Sequence, residues 1–332
     1  MINIGIIGCG YWGPNIMRNF QAIKGCQVKM VADLIPENLT KIKKLYPQII
    51  TTQNYKDILR NPQIDAVAVI TQAATHYSLI KESLLSGKHV FAEKPITLKS
   101  SEGEKLISLA KKRRKILMVG HVFEYNSLVR KIKEIIKKGE LGKIYFIFSS
   151  RLSPGPIRSD VSVVWDFAFH DISIITYLLD KNPLRVSAKG HNSLKKSLED
   201  FGFIDLEFPN HISSRISVAW LYPTKERGMI IVGSKKMLVY NDIDREKPLV
   251  LYNKGINWSA FKKSKKISFY DKGVSYPKVK QKEPLRVECQ HFIDCLKKKK
   301  TPLTDGKRGV KIVKILEKIQ KSLDSNGKLI NV

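Results

Sequence analysis

Apolar residues over the first 120 positions come in short β-branched runs separated by amphipathic stretches. Asn3 to Ile7 and Val28 to Ala32 predict strands, and Tyr11 to Ile23 has the spacing of a helix facing a core. Pro36 to Tyr46 predicts a second helix, opened by Pro and Glu. Ala66 to Ile70 reads Ala-Val-Ala-Val-Ile, apolar on both faces as in a buried parallel strand. Thr75 to Leu85 is helical and stops at Gly87; Val90 to Ala92 is a strand, Ser100 to Arg114 a long helix and Ile116 to Val119 a further strand. This alternation predicts an α/β domain over residues 1–120, built on a doubly wound parallel sheet of the Rossmann kind.

Near Gly120 the pattern changes. Asn126 to Lys138 predicts a helix closed by Gly139. Lys143 to Arg151, Phe201 to Phe208, His211 to Ala219, Gly228 to Val232 and Met237 to Tyr240 then alternate apolar with polar residues. Such alternation predicts a mainly antiparallel sheet with one face covered and the other open or paired. Trp165 to Leu179 predicts a helix among these strands, and Lys254 to Lys282, rich in Lys and Gly, predicts a long loop. Two helices, Glu283 to Lys298 and Gly306 to Leu323, finish a second domain over residues 121–332. The last of them is expected to pack back on the first domain.

With 332 residues, 43% hydrophobic and 27% charged, the composition is that of a globular protein able to bury two ordinary cores. No apolar run approaches the ~20 residues of a membrane span, and the first residues read as a strand rather than an export signal. Cys9, Cys26, Cys289 and Cys295 have no zinc-like spacing, so reduced thiols, no metal and a cytoplasmic location are expected. The net charge of +29 invites a nucleic-acid reading. However, the lysines are scattered over almost every predicted helix, which reads as solvated faces and a general field for anionic substrates.

Gly8-Cys9-Gly10-Tyr11-Trp12-Gly13 stands directly after one predicted strand and before a helix. This is the turn that wraps a dinucleotide pyrophosphate: Gly8 for the bend, Gly10 for close approach, Gly13 for helix–strand packing. Free N–H groups at the helix start complete the anion site. Asp33, 20 residues after Gly13 at the end of the second strand, suits ribose hydroxyls and repels a 2′-phosphate, so NAD is favoured over NADP.

Glu93-Lys94-Pro95 follows the strand Val90 to Ala92, at the sheet edge where α/β ligands sit. A lysine held there is suited to stabilise a developing alkoxide; the plainer reading is a surface lysine in a turn. Asp166 and His170, four apart in Trp165-Asp166-Phe167-Ala168-Phe169-His170, share a helix face, where the pair serves either proton transfer or surface pairing.

Together, Gly8 to Gly13, Thr71 to His76, Gly87 to Pro95 and Asp166 to His170 resemble the glucose–fructose oxidoreductase, inositol dehydrogenase and rhizopine-catabolism family (Gfo/Idh/MocA) over essentially the whole chain. The resemblance implies a Rossmann domain followed by an α/β domain with a large open sheet, whose exposed face often makes homodimers or homotetramers. It implies that Lys94, Asp166 and His170 line the active site, with His170 as acid/base, and that Glu93 and Thr71 lie beside the cofactor. Tyr11, Trp12, His76 and Trp165 are expected to join that cofactor shell. Gln72 stands where the family usually has proline, and Phe167-Ala168-Phe169 replaces a glycine-containing spacer.

Arg151 to Asp171, with Pro154-Gly155-Pro156-Ile157-Arg158-Ser159-Asp160, resembles members of nucleotide-sugar and surface-polysaccharide pathways that oxidise UDP-N-acetylglucosamine-type sugars, often at C3. Arg151 and Arg158 are therefore expected either to contact a substrate diphosphate or to pair with acids such as Asp160. His121 is expected to pack or to touch substrate. Two rival readings stand beside the sugar-nucleotide dehydrogenase: a dehydrogenase of a free sugar or cyclitol, and a non-enzymatic NAD-binding redox sensor. Neither nucleic acid nor membrane is expected as a partner.

Overall fold

The computed structural model describes residues 1–155, 157–194 and 198–332, so Pro156 of the Pro154 to Asp160 stretch lies outside the described residues. The expected alternation is present from the start. β1 (Ile2–Ile7), α1 (Gly13–Gln21), β2 (Cys26–Ala32), α2 (Pro36–Leu45), β3 (Ile50–Thr52), α3 (Tyr55–Arg60), β4 (Ala66–Val69), α4 (Ala73–Leu85), β5 (His89–Ala92), α5 (Ser100–Lys112) and β6 (Leu117–Val119) follow in order. The strands form one parallel sheet in the order β3-β2-β1-β4-β5-β6, the usual dinucleotide-binding order. All four residues of β4 are buried, as a central strand covered on both faces requires. The short β3 and α3 gave no legible period.

Beyond residue 125 come α6 (Ser127–Lys137), β7 (Ile144–Leu152), α7 (Phe169–Leu179), β8 (Arg185–His191), β9 (Phe201–Phe208), β10 (Ile212–Ala219), β11 (Glu226–Gly233), β12 (Met237–Asn241) and β13 (Leu249–Ile256). α8 (Trp258–Ser264), β14 (Phe269–Ser275), α9 (Pro284–Lys298), α10 (Gly306–Asp324) and β15 (Ile330–Asn331) complete the chain. Among the described residues the second sheet has nine strands, ordered β14-β13-β12-β11-β7-β10-β9-β8-β15, and only β7 and β10 run parallel. Along β7, Ile147, Ser149 and Arg151 are buried, whereas Phe146, Phe148 and Ser150 face outward. One face is thus covered and the other open, as the alternation predicted. The expected loop from Lys254 to Lys282 is corrected: α8 and β14 lie within it, β14 paired with β13. β14 is exposed on both faces, so no alternation marks it.

The chain divides into two compact units: Met1–Tyr125 with Lys282–Lys314, and Asn126–Gln281 with Ile315–Val332. Residues 282–314 therefore belong to the first unit, not to a continuous second domain as the sequence suggested. The cause is aromatic packing. Phe292 of α9 stacks edge-to-face with Phe20 and Phe91, centroids 6.0 and 5.7 Å apart, and all three rings are fully buried. The start of α10 also belongs there, Gly309 packing so close that a Cβ would lie 2.7 Å from Val119. The end of α10 belongs to the second unit, where Ser322 Oγ accepts the Ala188 N–H at 2.9 Å.

Candidate functional site

In the first unit, the turn between β1 and α1 has the form a pyrophosphate needs. Gly8 has φ +93°, and a Cβ there would lie 2.8 Å from the Ile70 carbonyl oxygen, so only glycine fits. Above Gly10 nothing lies within 4 Å of a built Cβ, which leaves the backbone open to a ligand. No side chain caps the start of α1, so no capping group competes for its first-turn N–H donors. Tyr11 is 94% exposed on this turn. Trp12 beside it donates its indole N–H to Glu93 Oε1 at 2.9 Å, tying the turn to the loop after β5.

Asp33 is held rigidly. Its Oδ2 accepts the Cys9 N–H at 2.7 Å, and its Oδ1 accepts the Ile35 N–H at 2.9 Å and the Asn38 amide at 3.3 Å. A carboxylate oxygen offers about two lone-pair sites, so Oδ2 retains acceptor capacity for a ribose hydroxyl. Burial, with Asp33 alongside, pushes the Cys9 thiol up to about 12, keeping it protonated. Leu34, 80% exposed, and Ile35 follow Asp33 as apolar surface suited to an adenine face, a contact the sequence pattern did not single out. Glycine cradle, helix terminus and aspartate all fit NAD.

The Glu93-Lys94-Pro95 loop is built from two sides. Lys94 N–H donates to Glu93 Oε2 at 3.1 Å, and the Lys94–Pro95 peptide is cis. His76 is buried with Nδ1 2.7 Å from the Pro95 carbonyl oxygen and Nε2 3.0 Å from that of Thr71. It is a strut between the two loops. Thr71 Oγ1 in turn shares a 2.7 Å hydrogen bond with Thr75 Oγ1. Burial raises the Glu93 pKa, against the Lys94 N–H and ammonium and the Trp12 N–H, which favour its anion.

The His121 side chain is wholly buried. Its Nδ1 lies 3.7 Å from Glu124 Oε1, and that oxygen accepts the Arg308 guanidinium at 2.9 Å. Burial, then the charges of Arg308 and Lys94, lower its pKa to about 3, so the ring is neutral and packs. Sequence reasoning missed Arg308 and Glu288, which α9 and α10 bring in from far along the chain. Burial, then the carboxylates of Glu93 and Glu124, raises the Glu288 pKa well above normal.

In the second unit, Val164–Ala168 forms a π-helical turn that leads into α7. Such turns recur at functional sites. Asp166 and His170, both half-buried, stand on either side of this junction, so the expectation of one regular α-helical face is corrected. Arg158 binds Asp160 at 2.6 Å and reaches Asp166 Oδ1 at 3.3 Å, so it holds the carboxylate from the loop before the turn. Trp165 donates its indole N–H to Gln320 Oε1 at 3.0 Å, within this unit.

Arg151 is paired with an acid inside the second unit. It lies in β7, buried, its Nε 2.7 Å from Asp171 Oδ2 on α7, and Ser149 donates to Oδ1 of the same carboxylate at 2.6 Å. Alternation along β7 points the guanidinium into the covered face. Breaking such a pair strands a buried charge at about 3–5 kcal/mol. Arg151→Met is therefore expected to lower unfolding stability by that order, measurable by urea denaturation. A loss below about 1 kcal/mol would contradict a structural role.

Two family models match this chain. Residues 2–121 match the oxidoreductase family with an NAD-binding Rossmann fold, and residues 129–239 match the GFO/IDH/MocA C-terminal domain. The chain belongs to the Gfo/Idh/MocA family. Its first unit is thus an NAD-binding Rossmann fold by family as well as by geometry. Among relatives, it is 26% identical over 212 residues to myo-inositol 2-dehydrogenase of Thermotoga maritima, covering 61% of this chain and 63% of that one. It is 26% identical over 187 residues to UDP-N-acetylglucosamine 3-dehydrogenase of Acidithiobacillus ferrooxidans, covering 56% and 57%. The chain thus spans less than two thirds of the length of either relative. The WlbA dehydrogenase of Bordetella pertussis, solved with NADH and UDP-GlcNAcA, has the same fold: TM-score 0.83, 18% identity, 100% and 97% coverage. Among the described residues, no helix is long and apolar enough to cross a membrane, and no group of His, Cys, Asp and Glu is placed to hold a metal ion.

Proposed function

We propose that this family member transfers hydride reversibly between a ring carbinol of a nucleotide-linked sugar and NAD, C3 of a UDP-N-acetylhexosamine being the favoured position. The observation that carries the reading is the rigid NAD cradle joined through Trp12 to the loop that presents Lys94. NAD, when bound, supplies the hydride acceptor. Asp33 binds the adenosine ribose and excludes a 2′-phosphate. Lys94 stabilises negative charge on the substrate oxygen, and His170 accepts the hydroxyl proton. Asp166, held by Arg158, positions His170. With Arg151 buried and Arg158 engaged, the substrate diphosphate is drawn by the general positive field rather than by a dedicated arginine. The enzyme works as a homo-oligomer through the open sheet face, where Phe146, Phe203 and Ile230 are exposed.

The relationship to UDP-N-acetylglucosamine 3-dehydrogenase supports the nucleotide-linked substrate, and that to myo-inositol 2-dehydrogenase favours the free cyclitol as second reading. UDP alone separates them. It is expected to inhibit competitively against the sugar substrate; turnover of free polyols without inhibition by UDP transfers the reading to the cyclitol class. For the cofactor, Asp33→Ser is expected to weaken NADH binding and shift the NADH/NADPH affinity ratio by about 10-fold, one to two kcal/mol of lost hydrogen bonding and relieved repulsion. Fluorescence titration with both reduced cofactors gives the ratio, and an unchanged ratio contradicts the role of Asp33.

A further inference from the structure

Residues 254–281 carry eight lysines against one aspartate, a net charge of +7, interleaved with Trp258, Phe261, Phe269, Tyr270 and Tyr276. The segment holds α8 and the strand β14 at one end of the second sheet. From Lys262 to Tyr276 every side chain except that of Tyr270 is exposed, apolar ones included: Phe269 is 75% exposed and Ile267 65%, with Trp258, Val274 and Tyr276 also open. A strand solvated on both faces is unusual, because an apolar sheet edge recruits partners. Asp271 neutralises Lys254 alone, at 2.8 Å, which leaves seven lysines in excess.

Charge decides which partner this edge accepts. A second copy would bring +7 against +7 along one edge, so self-pairing is disfavoured. An anionic partner is required, and it must also accept aliphatic groups. Nucleic acid offers bases to stack on aromatics but little to Ile267 and Val274. The patch also lacks arginine, whose planar fork reads bases and phosphates in two-point fashion. A bilayer surface bearing anionic headgroups meets both demands: lysines lie over the headgroups while Ile267, Phe269, Val274 and Trp258 enter the acyl boundary. We infer that the α8–β14 edge docks the protein peripherally on anionic phospholipid membranes. This goes beyond the proposed oxidoreductase activity and departs from the expectation of no membrane partner, which rested on the lack of a spanning run. Peripheral contact needs none.

Flotation of the full chain with vesicles tests the inference. Vesicles of phosphatidylglycerol mixed into phosphatidylcholine are expected to bind at least about tenfold more protein than pure phosphatidylcholine, the difference shrinking as salt rises. Charge reversal at Lys262, Lys263, Lys265 and Lys266 to Glu is expected to abolish the preference. Ile267→Ser with Phe269→Ser is expected to cut binding by about fivefold or more, which pure charge attraction does not explain. The control, Lys111→Glu with Lys112→Glu on α5, is expected to bind as the unaltered chain does. Equal binding to both vesicles, no effect of the Ile267 and Phe269 changes, or equal loss in the control each overturns the inference. So does tighter binding of an oligonucleotide that the four-lysine variant loses, which assigns the patch to nucleic acid. A smaller oligomer for the Ile267 and Phe269 variant in light scattering marks a subunit interface and likewise overturns it.

Discussion

Lys94→Met is expected to lower kcat by about 100- to 1000-fold while NADH binding changes by less than about threefold. The substitution keeps the length and apolar stem of the side chain and removes only the charged donor. Its backbone anchor, the Lys94 N–H to Glu93 Oε2, does not depend on the side chain, and the His76 strut between the Thr71 and Pro95 carbonyls is untouched. The cofactor cradle should therefore persist. If the ammonium stabilises charge on the substrate oxygen, its loss falls on the chemical step, and single-turnover NADH formation slows with kcat. A variant that turns over at full rate and binds NADH normally contradicts the assignment. Equal losses in kcat and NADH affinity reduce Lys94 to a cofactor contact.

The second large effect concerns His170. A positioned general base contributes about 100- to 10,000-fold, so His170→Asn is expected to lose that order in kcat. Part of the activity should return at high pH, where hydroxide replaces the missing base, and the limb of the pH–rate profile assigned to His170 should disappear. Arg158→Ala is expected to act more weakly through Asp166, which it holds at 3.3 Å. The pH–rate profile of the variant enzyme checks the assignment. An intact limb with full turnover removes His170 from proton transfer.

Local signals in the sequence carried most of the cofactor side. Gly8 and Asp33 are constrained within one strand–turn–helix unit, so the spacing alone predicts what the positive φ and the Cys9–Asp33 hydrogen bond display. The alternation in β7, β9 and β10 revealed a sheet with one covered face for the same reason. What escaped depends on contacts between distant residues. Arg151 looks like any basic residue near a proline-rich loop until Asp171 is folded over it. Likewise, Arg308 and Glu288 enter the first unit only because α9 and the start of α10 return to it, driven by Phe292 meeting Phe20 and Phe91. The segment 254–281 read as loop because the edge strand within it is exposed on both faces, which erases the alternation that marks a half-buried one.

The most direct test of the central claim is NADH formation at neutral pH from a panel of UDP-sugars and free polyols. Bound cofactor is identified after denaturing the protein. The account predicts NAD as the cofactor, reduction by at least one UDP-N-acetylhexosamine, and loss of that reduction in Lys94→Met. Reduction by a non-carbohydrate alcohol with no response to any sugar, or NADP as the sole bound cofactor, would contradict it.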